Sequence, residues 1–199
     1  MDAGGDLAAV LADAWARLGR AAGERRRAAG ERRRTTGRVA LATLNARGGP
    51  ALRTVVLRSV DPAARRLEIH TDRRSVKVAE IQADSAVALL LYEAADEVQI
   101  RVEGRAQLLP PGAALDAAWA ATPGPIRAAY RMPGPPGTPI ADPALPSPAT
   151  DGSEAGRENF AVIVLAVDRI DWVRLDPGAD RRALFDWTGG TLKASWLIP

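Results

Sequence analysis

The chain has 199 residues, 27 Lys plus Arg against 24 Asp plus Glu and a pI near 9.9, but residues 21–34 read AAGERRRAAGERRR, a tandem heptapeptide holding six Arg and two Glu. The remaining residues carry a formal charge of −1, which takes away the compositional case for a nucleic-acid-binding body. Absent cysteine excludes disulfides, zinc-thiolate sites and thiol nucleophiles, and a single histidine, His70, excludes His-rich metal sites and leaves Ser-His-Asp chemistry to one residue.

The length suits one domain. No apolar run approaches the roughly 20 residues that span a bilayer, and the acidic start MDAGGDLAAVLADAW lacks the positive n-region of a signal peptide, so a cytoplasmic protein is expected. Asp6 is placed to cap a helix over 6–19 whose Leu7, Val10, Leu11, Ala14, Trp15 and Leu18 share one stripe, with Gly19 as its stop. The Arg-rich repeat, with no large apolar residue, reads as a solvated spacer. From Arg38 the period changes to two. Arg38 to Ala46 and Ala51 to Val60 are β-rich runs joined by Arg47-Gly48-Gly49-Pro50, and a turn at Asp61-Pro62 leads into a third strand ending at Thr71. Ser75 to Ala83 reads as a short helix with Ser75 at its N-cap and Val78 and Ile81 inward. The strands Ala86 to Tyr92 and Glu97 to Leu108 follow, the second alternating Val98, Ile100 and Val102 with Gln99, Arg101 and Glu103.

Pro111 to Thr122 is helical, with a further turn over Ile126 to Arg131. The Pro-rich stretch 132–159 has no periodicity and reads as a surface insertion. The chain re-enters sheet at Phe160 to Val167, continues through Asp171 to Leu175, and closes with Arg182 to Trp187 and Leu192 to Ile198 around a Gly189-Gly190 turn. About eight strands with few helices between them predict a mainly β fold, an antiparallel barrel with peripheral helices.

Several polar residues sit within these strands. Arg53 and Arg58 have opposite parity and face opposite sides unless a bulge intervenes. Thr71, Ser75 and Lys77 lie where a strand passes into a helix start, where hydroxyls, backbone N–H groups and a cation suit a phosphate; ordinary capping beside a surface Lys explains such a junction equally well. Glu93, Asp96 and Glu97 cluster at a turn and read as solvated, so a two-carboxylate hydrolase has little behind it.

Order and spacing together say more. Arg53-Thr54-Val55-Val56-Leu57-Arg58, then His70-Thr71, then Ser75-Val76-Lys77, then Val98-Gln99-Ile100-Arg101-Val102-Glu103-Gly104 resemble the core of the pyridoxamine 5′-phosphate oxidase-like split-barrel family. Trp172 and Arg182, ten residues apart, and the terminal Leu197-Ile198-Pro199 extend the likeness over roughly 38–110 and 160–199. The resemblance implies a split β-barrel homodimer with FMN at the subunit interface. Arg53, Lys77, Thr71 and Ser75 would hold its phosphate, residues 53–58 and His70 would lie along it, and Gln99, Trp172 and Arg182 would approach the ring.

The departures are specific. Val76 stands where relatives commonly carry an Arg, and Arg58 stands at the family's substrate-phosphate Lys. Gly178-Ala179-Asp180-Arg181-Arg182 lacks the Arg and His that meet the substrate in true oxidases. The resemblance therefore implies an FMN-dependent oxidoreductase of uncertain substrate. The alternatives are a genuine pyridoxamine 5′-phosphate oxidase using Arg58, Arg127 or Arg131 for the substrate phosphate, and a non-catalytic flavin carrier or sensor. Neither metal nor membrane is expected as a partner.

Overall fold

The computed structural model describes residues 3–23, 37–141, 154–176 and 178–199. Most of the Arg-rich repeat and the middle of the Pro-rich stretch lie outside them. The elements are α1 (Ala3–Gly23), β1 (Arg38–Leu44), β2 (Pro50–Asp61), β3 (Arg66–Asp72), α2 (Val76–Ala83), β4 (Ala86–Glu93), β5 (Val98–Leu108), α3 (Ala113–Ala120), α4 (Gly124–Arg127), β6 (Phe160–Arg174), β7 (Arg181–Asp186) and β8 (Lys193–Leu197). Single 3-10 turns span Ala128–Arg131 and Arg157–Asn159.

The sheet runs β3-β2-β1-β4-β5-β6-β7-β8, and β3 also pairs with β6. Six strands thus close a barrel and β7–β8 extend from it. The closing strand is β6. Its Phe160 to Ala166 half pairs with β3 and its Arg169 to Arg174 half with β7, while its other edge pairs with β5. The β5–β6 register shifts at Glu103/Gly104, close to where β6 changes partners. A side chain at position 104 would put a Cβ 2.0 Å from the Ala166 carbonyl oxygen, so the bend requires glycine.

Alternation sets the core. Leu41, Leu57, Leu67, Ile69, Leu89, Ile100, Val102, Ile163 and Leu165 fill the barrel, each worth about 1.5–3 kcal/mol on burial. The apolar stripe Val10, Ala14, Leu18, Ala21 packs α1 against this core. It continues past Gly19, which is why the helix runs to Gly23 instead of ending there, and Asp6 lies within the first turn, not at the cap. Strand β6 is apolar on both faces because α3 covers its outer side, where Trp119, Tyr130, Phe160, Val162 and Val164 form a second cluster.

The carboxylates of the β4–β5 turn are not simply solvated. Buried Arg17 donates to Asp13 (2.8 Å), Asp96 (2.7 Å) and Glu93, tying α1 to that hairpin. Burial would lower the Arg17 pKa, but these three hydrogen bonds prevail and hold it above its ordinary value. The run Ala86 to Tyr92 is continuous in apolar character because its outer side belongs to an uncovered face: Leu52 is 72% exposed, Tyr92 55% and Leu44 38%, beside Ala40, Ala42 and Leu90.

Candidate functional site

At one end of the barrel, beneath α2, the inward parity of β1, β2 and β3 brings polar residues together. Arg53 shares its parity with Val55 and Leu57. Its guanidinium donates to Glu80 Oε2 (2.7 Å), to Thr43 Oγ1 and, at 3.5 Å, to the Leu41 carbonyl. Thr43 in turn donates to Glu80 Oε2 at 2.5 Å. Alongside, Lys77 Nζ donates to Thr71 Oγ1 (2.9 Å), and Thr71 Oγ1 lies 3.3 Å from Ser75 Oγ. Ser75 holds the N-cap position of α2, but its hydroxyl donates to the Asp72 carbonyl (2.7 Å) instead of capping the helix. Burial and then the charge of Arg53 push the Lys77 pKa down. Two cations and two hydroxyls therefore converge, and the cations repel each other. Asp72 is engaged by Arg74 through two side-chain contacts and the Arg74 amide.

Arg58 and His70 lie elsewhere. The β2–β3 register shifts between Leu57 and Ser59, and Arg58 points away from the barrel interior. With Ser59, Glu68 and His70 it lines a cavity of about 570 Å³ that Thr122 and Ile126 close from the helical side. His70 Nδ1 lies 3.4 Å from Thr122 Oγ1, and the ring meets Phe160 edge-on at 5.0 Å. Burial, then the charge of Arg58, lowers the His70 pKa to about 4, so the imidazole is neutral at physiological pH. Along 53–58, Val55 and Leu57 belong to the core and Thr54 and Val56 face outward.

A third group occupies the outer surface of β5, β6 and β7. Asp171 accepts from Arg182 Nε (3.1 Å) and Nη2 (2.7 Å) and from Arg101. Gln99 pairs with Val173, which pairs with Arg182, so Gln99 and Arg182 share this face. Trp172 does not join them. It lies opposite Ile100 and Ala183 on the inner face, 3% exposed, its Nε1 buried without a hydrogen-bond partner among the described residues.

Arg127 donates to the carbonyls of Thr122 (2.8 Å) and Ala120 (2.8 Å) and stacks on Trp119 at 4.8 Å; Arg131 donates to the Ala155 carbonyl (3.2 Å). Both brace the helical side. Sequence reasoning missed Thr43, Glu80 and Asp171. For Glu80 the one available signal was its place beside Ile81 on the buried side of a short helix. No cluster of His, Asp and Glu fit to hold a metal occurs among the described residues.

Residues 14–110 match the family model described as pyridoxamine 5′-phosphate oxidase, FMN-binding domain. A pyridoxine/pyridoxamine 5′-phosphate oxidase of Anaeromyxobacter dehalogenans is 42% identical over 71 residues, 36% of this chain and 35% of that protein, so the match spans about a third of the relative's length. Among solved structures, a pyridoxamine 5′-phosphate oxidase-related, FMN binding protein of Nostoc punctiforme superposes with a TM-score of 0.71 at 26% identity, covering 82% of this chain and 88% of that one. PhzG of Burkholderia lata, solved with tetrahydrophenazine-1-carboxylic acid, gives 0.67 at 20% identity over 82% of each chain, a likeness of fold. Residues 14–110 thus match the pyridoxamine 5′-phosphate oxidase FMN-binding domain, and the six-stranded closure with the motif order from Arg53 to Gly104 makes the chain similar to the pyridoxamine 5′-phosphate oxidase-like split barrels.

Proposed function

We propose that the protein is an FMN-dependent oxidoreductase acting on a small molecule other than pyridoxamine 5′-phosphate. The observation that carries this reading is the convergence of Arg53, Lys77, Thr71 and Ser75 at the barrel end. A doubly charged phosphate fits that donor set, since it relieves the repulsion between the two cations and accepts from them and from the Thr71 hydroxyl, while the Ser75 hydroxyl stays on the Asp72 carbonyl. FMN, when bound, supplies the ring that takes up and returns electrons. Around it the chain's own groups bind and orient. Neutral His70, its Nδ1 facing Thr122, leaves one ring nitrogen for the cavity, and Arg58 gives that cavity a fixed positive charge.

The uncovered apolar face of β1, β2 and β4 supports a homodimer, because exposed Leu52, Leu44 and Tyr92 would be covered by a second copy. The Arg101–Asp171–Arg182 group is continuous with that face through the register Thr54, Ala40, Leu90, Arg101, Asp171. A pyridoxamine 5′-phosphate substrate draws less support: Arg127 and Arg131 are committed to backbone carbonyls, and no His follows the β6–β7 turn.

Purified protein should be yellow, release FMN on denaturation, and run as a dimer on light scattering. Anaerobic titration with NADH, NADPH and pyridoxamine 5′-phosphate in turn should bleach the flavin with a nicotinamide and not with the amine. A colourless protein that takes up no added FMN would sink the proposal.

A further inference from the structure

Of the two cradle cations, Arg53 is the one that hydrogen-bonds a carboxylate among the described residues, while Asp72 and Glu80 act on Lys77 only through space. Glu80 has a side chain only 5% exposed, and its Oε2 accepts from both Arg53 Nη2 (2.7 Å) and Thr43 Oγ1 (2.5 Å). Thr43 also accepts from Arg53 Nη1, so arginine, threonine and glutamate form a closed triangle spanning β1, β2 and α2. A carboxylate so enclosed is held by its protein partners and has little surface left to meet a ligand. A guanidinium turned toward a barrel interior would be costly to leave without a counter-ion. The triangle holds Arg53 in one pose while no ligand is present.

We infer that Glu80 is a positioning residue of the cradle, orienting Arg53 for an incoming phosphate group while its own negative charge weakens that group's binding. The inference rests on the reading above that Arg53 and Lys77 hold a phosphate. Orientation and charge act in opposite directions and can be separated. A glutamine at 80 keeps an oxygen that accepts from Arg53 or Thr43 but removes a negative charge from close behind the guanidinium. Coulombic attraction between Arg53 and a dianion is then no longer shared with Glu80. An alanine removes the charge and the orientation together.

The test is the affinity of apoprotein for FMN, by flavin fluorescence quenching, and for inorganic phosphate, by calorimetry, at low ionic strength. Glu80→Gln should bind both about tenfold more tightly than wild type, with a ligand-free melting temperature below wild type and a larger rise on adding FMN. Glu80→Ala should bind more weakly than Glu80→Gln. A purely structural Glu80 would give no tightening, so E80Q affinity equal to or below wild type overturns the inference. If E80Q does not fold, Glu80→Asp, which keeps the charge and shortens its reach, should weaken FMN binding at least threefold, and unchanged affinity there overturns it. A wild-type protein that binds neither FMN nor phosphate overturns the functional reading itself; binding by wild type with no gain in E80Q overturns only the role of Glu80.

Discussion

His70 is the only histidine in the chain, so its ring gives a single, unambiguous titration signal. Burial against Phe160 and Thr122, with the charge of Arg58 adding to it, takes its pKa from 6.5 to about 4. At about 1.4 kcal/mol per pH unit, that difference corresponds to about 3 kcal/mol of preference for the neutral ring, an upper limit because the cavity beside it admits water. Because the folded-state value lies below the unfolded one, this stability is fully present above pH 6.5 and is lost as the pH falls toward 4. Carbon-proton correlation spectra of the ring, recorded from pH 8 to 4, should show no titration until the acid end of that range. Arg58→Gln should raise the midpoint by less than burial lowers it. Denaturant unfolding of wild type and His70→Gln should converge by up to about 3 kcal/mol between pH 7 and pH 4. A midpoint of 6 or higher would refute the reasoning, since it would mean that the ring is hydrated and that the α3 side does not close over it.

Gly104→Ala should cost about 3 kcal/mol or more in urea unfolding, because the new methyl meets the Ala166 carbonyl oxygen at 2.0 Å and neither strand can give way without breaking the β5–β6 ladder; a loss under 1 kcal/mol would show that the bend is slack. At Asp171, burial raises the carboxyl pKa but the hydrogen bonds from Arg182 and Arg101 outweigh it, so the pKa lies below the ordinary value. Its contribution is therefore present above about pH 4 and is lost as the pH falls through the lowered value. Asp171→Asn should cost about 1–3 kcal/mol at pH 7 and progressively less as the pH falls through the carboxyl's lowered value, measured by denaturant titration at a series of acid pH values, and a pH-independent cost would contradict the ion-pair account.

Much of the barrel was legible because the period-two pattern is local. Val98, Ile100 and Val102 alternate with Gln99, Arg101 and Glu103, and the structure keeps that alternation over β5. Leu44, Leu52 and Tyr92 could be read only as apolar, since whether another element covers them depends on the whole sheet. The α1 boundaries were misjudged because Gly19 is a stop only where the stripe ends, and Ala21 continues it. Arg17 with Glu93 and Asp96, and Asp171 with Arg101, escaped because those partners lie 70 to 79 positions apart in the chain. Lys77 was legible as a phosphate candidate from its strand-to-helix junction and Arg53 through its order in a family motif; the inward parity of Arg53 in β2 and its tie to Glu80 were not legible.

The pairing of β6 with β3, β5 and β7 has a consequence for biosynthesis. Without β6, strands β1 to β5 have two free edges, β3 and β5, and an open apolar inner face. Both edges wait for one segment that begins at Phe160, and the long separation makes that pairing the slow, high-contact-order event of folding. Residues 14–110, the stretch that carries the family likeness, end before that strand. A chain released ahead of Phe160 would thus hold most of the recognisable motif and expose an unfinished core, a substrate for chaperones or proteases and no container for a cofactor.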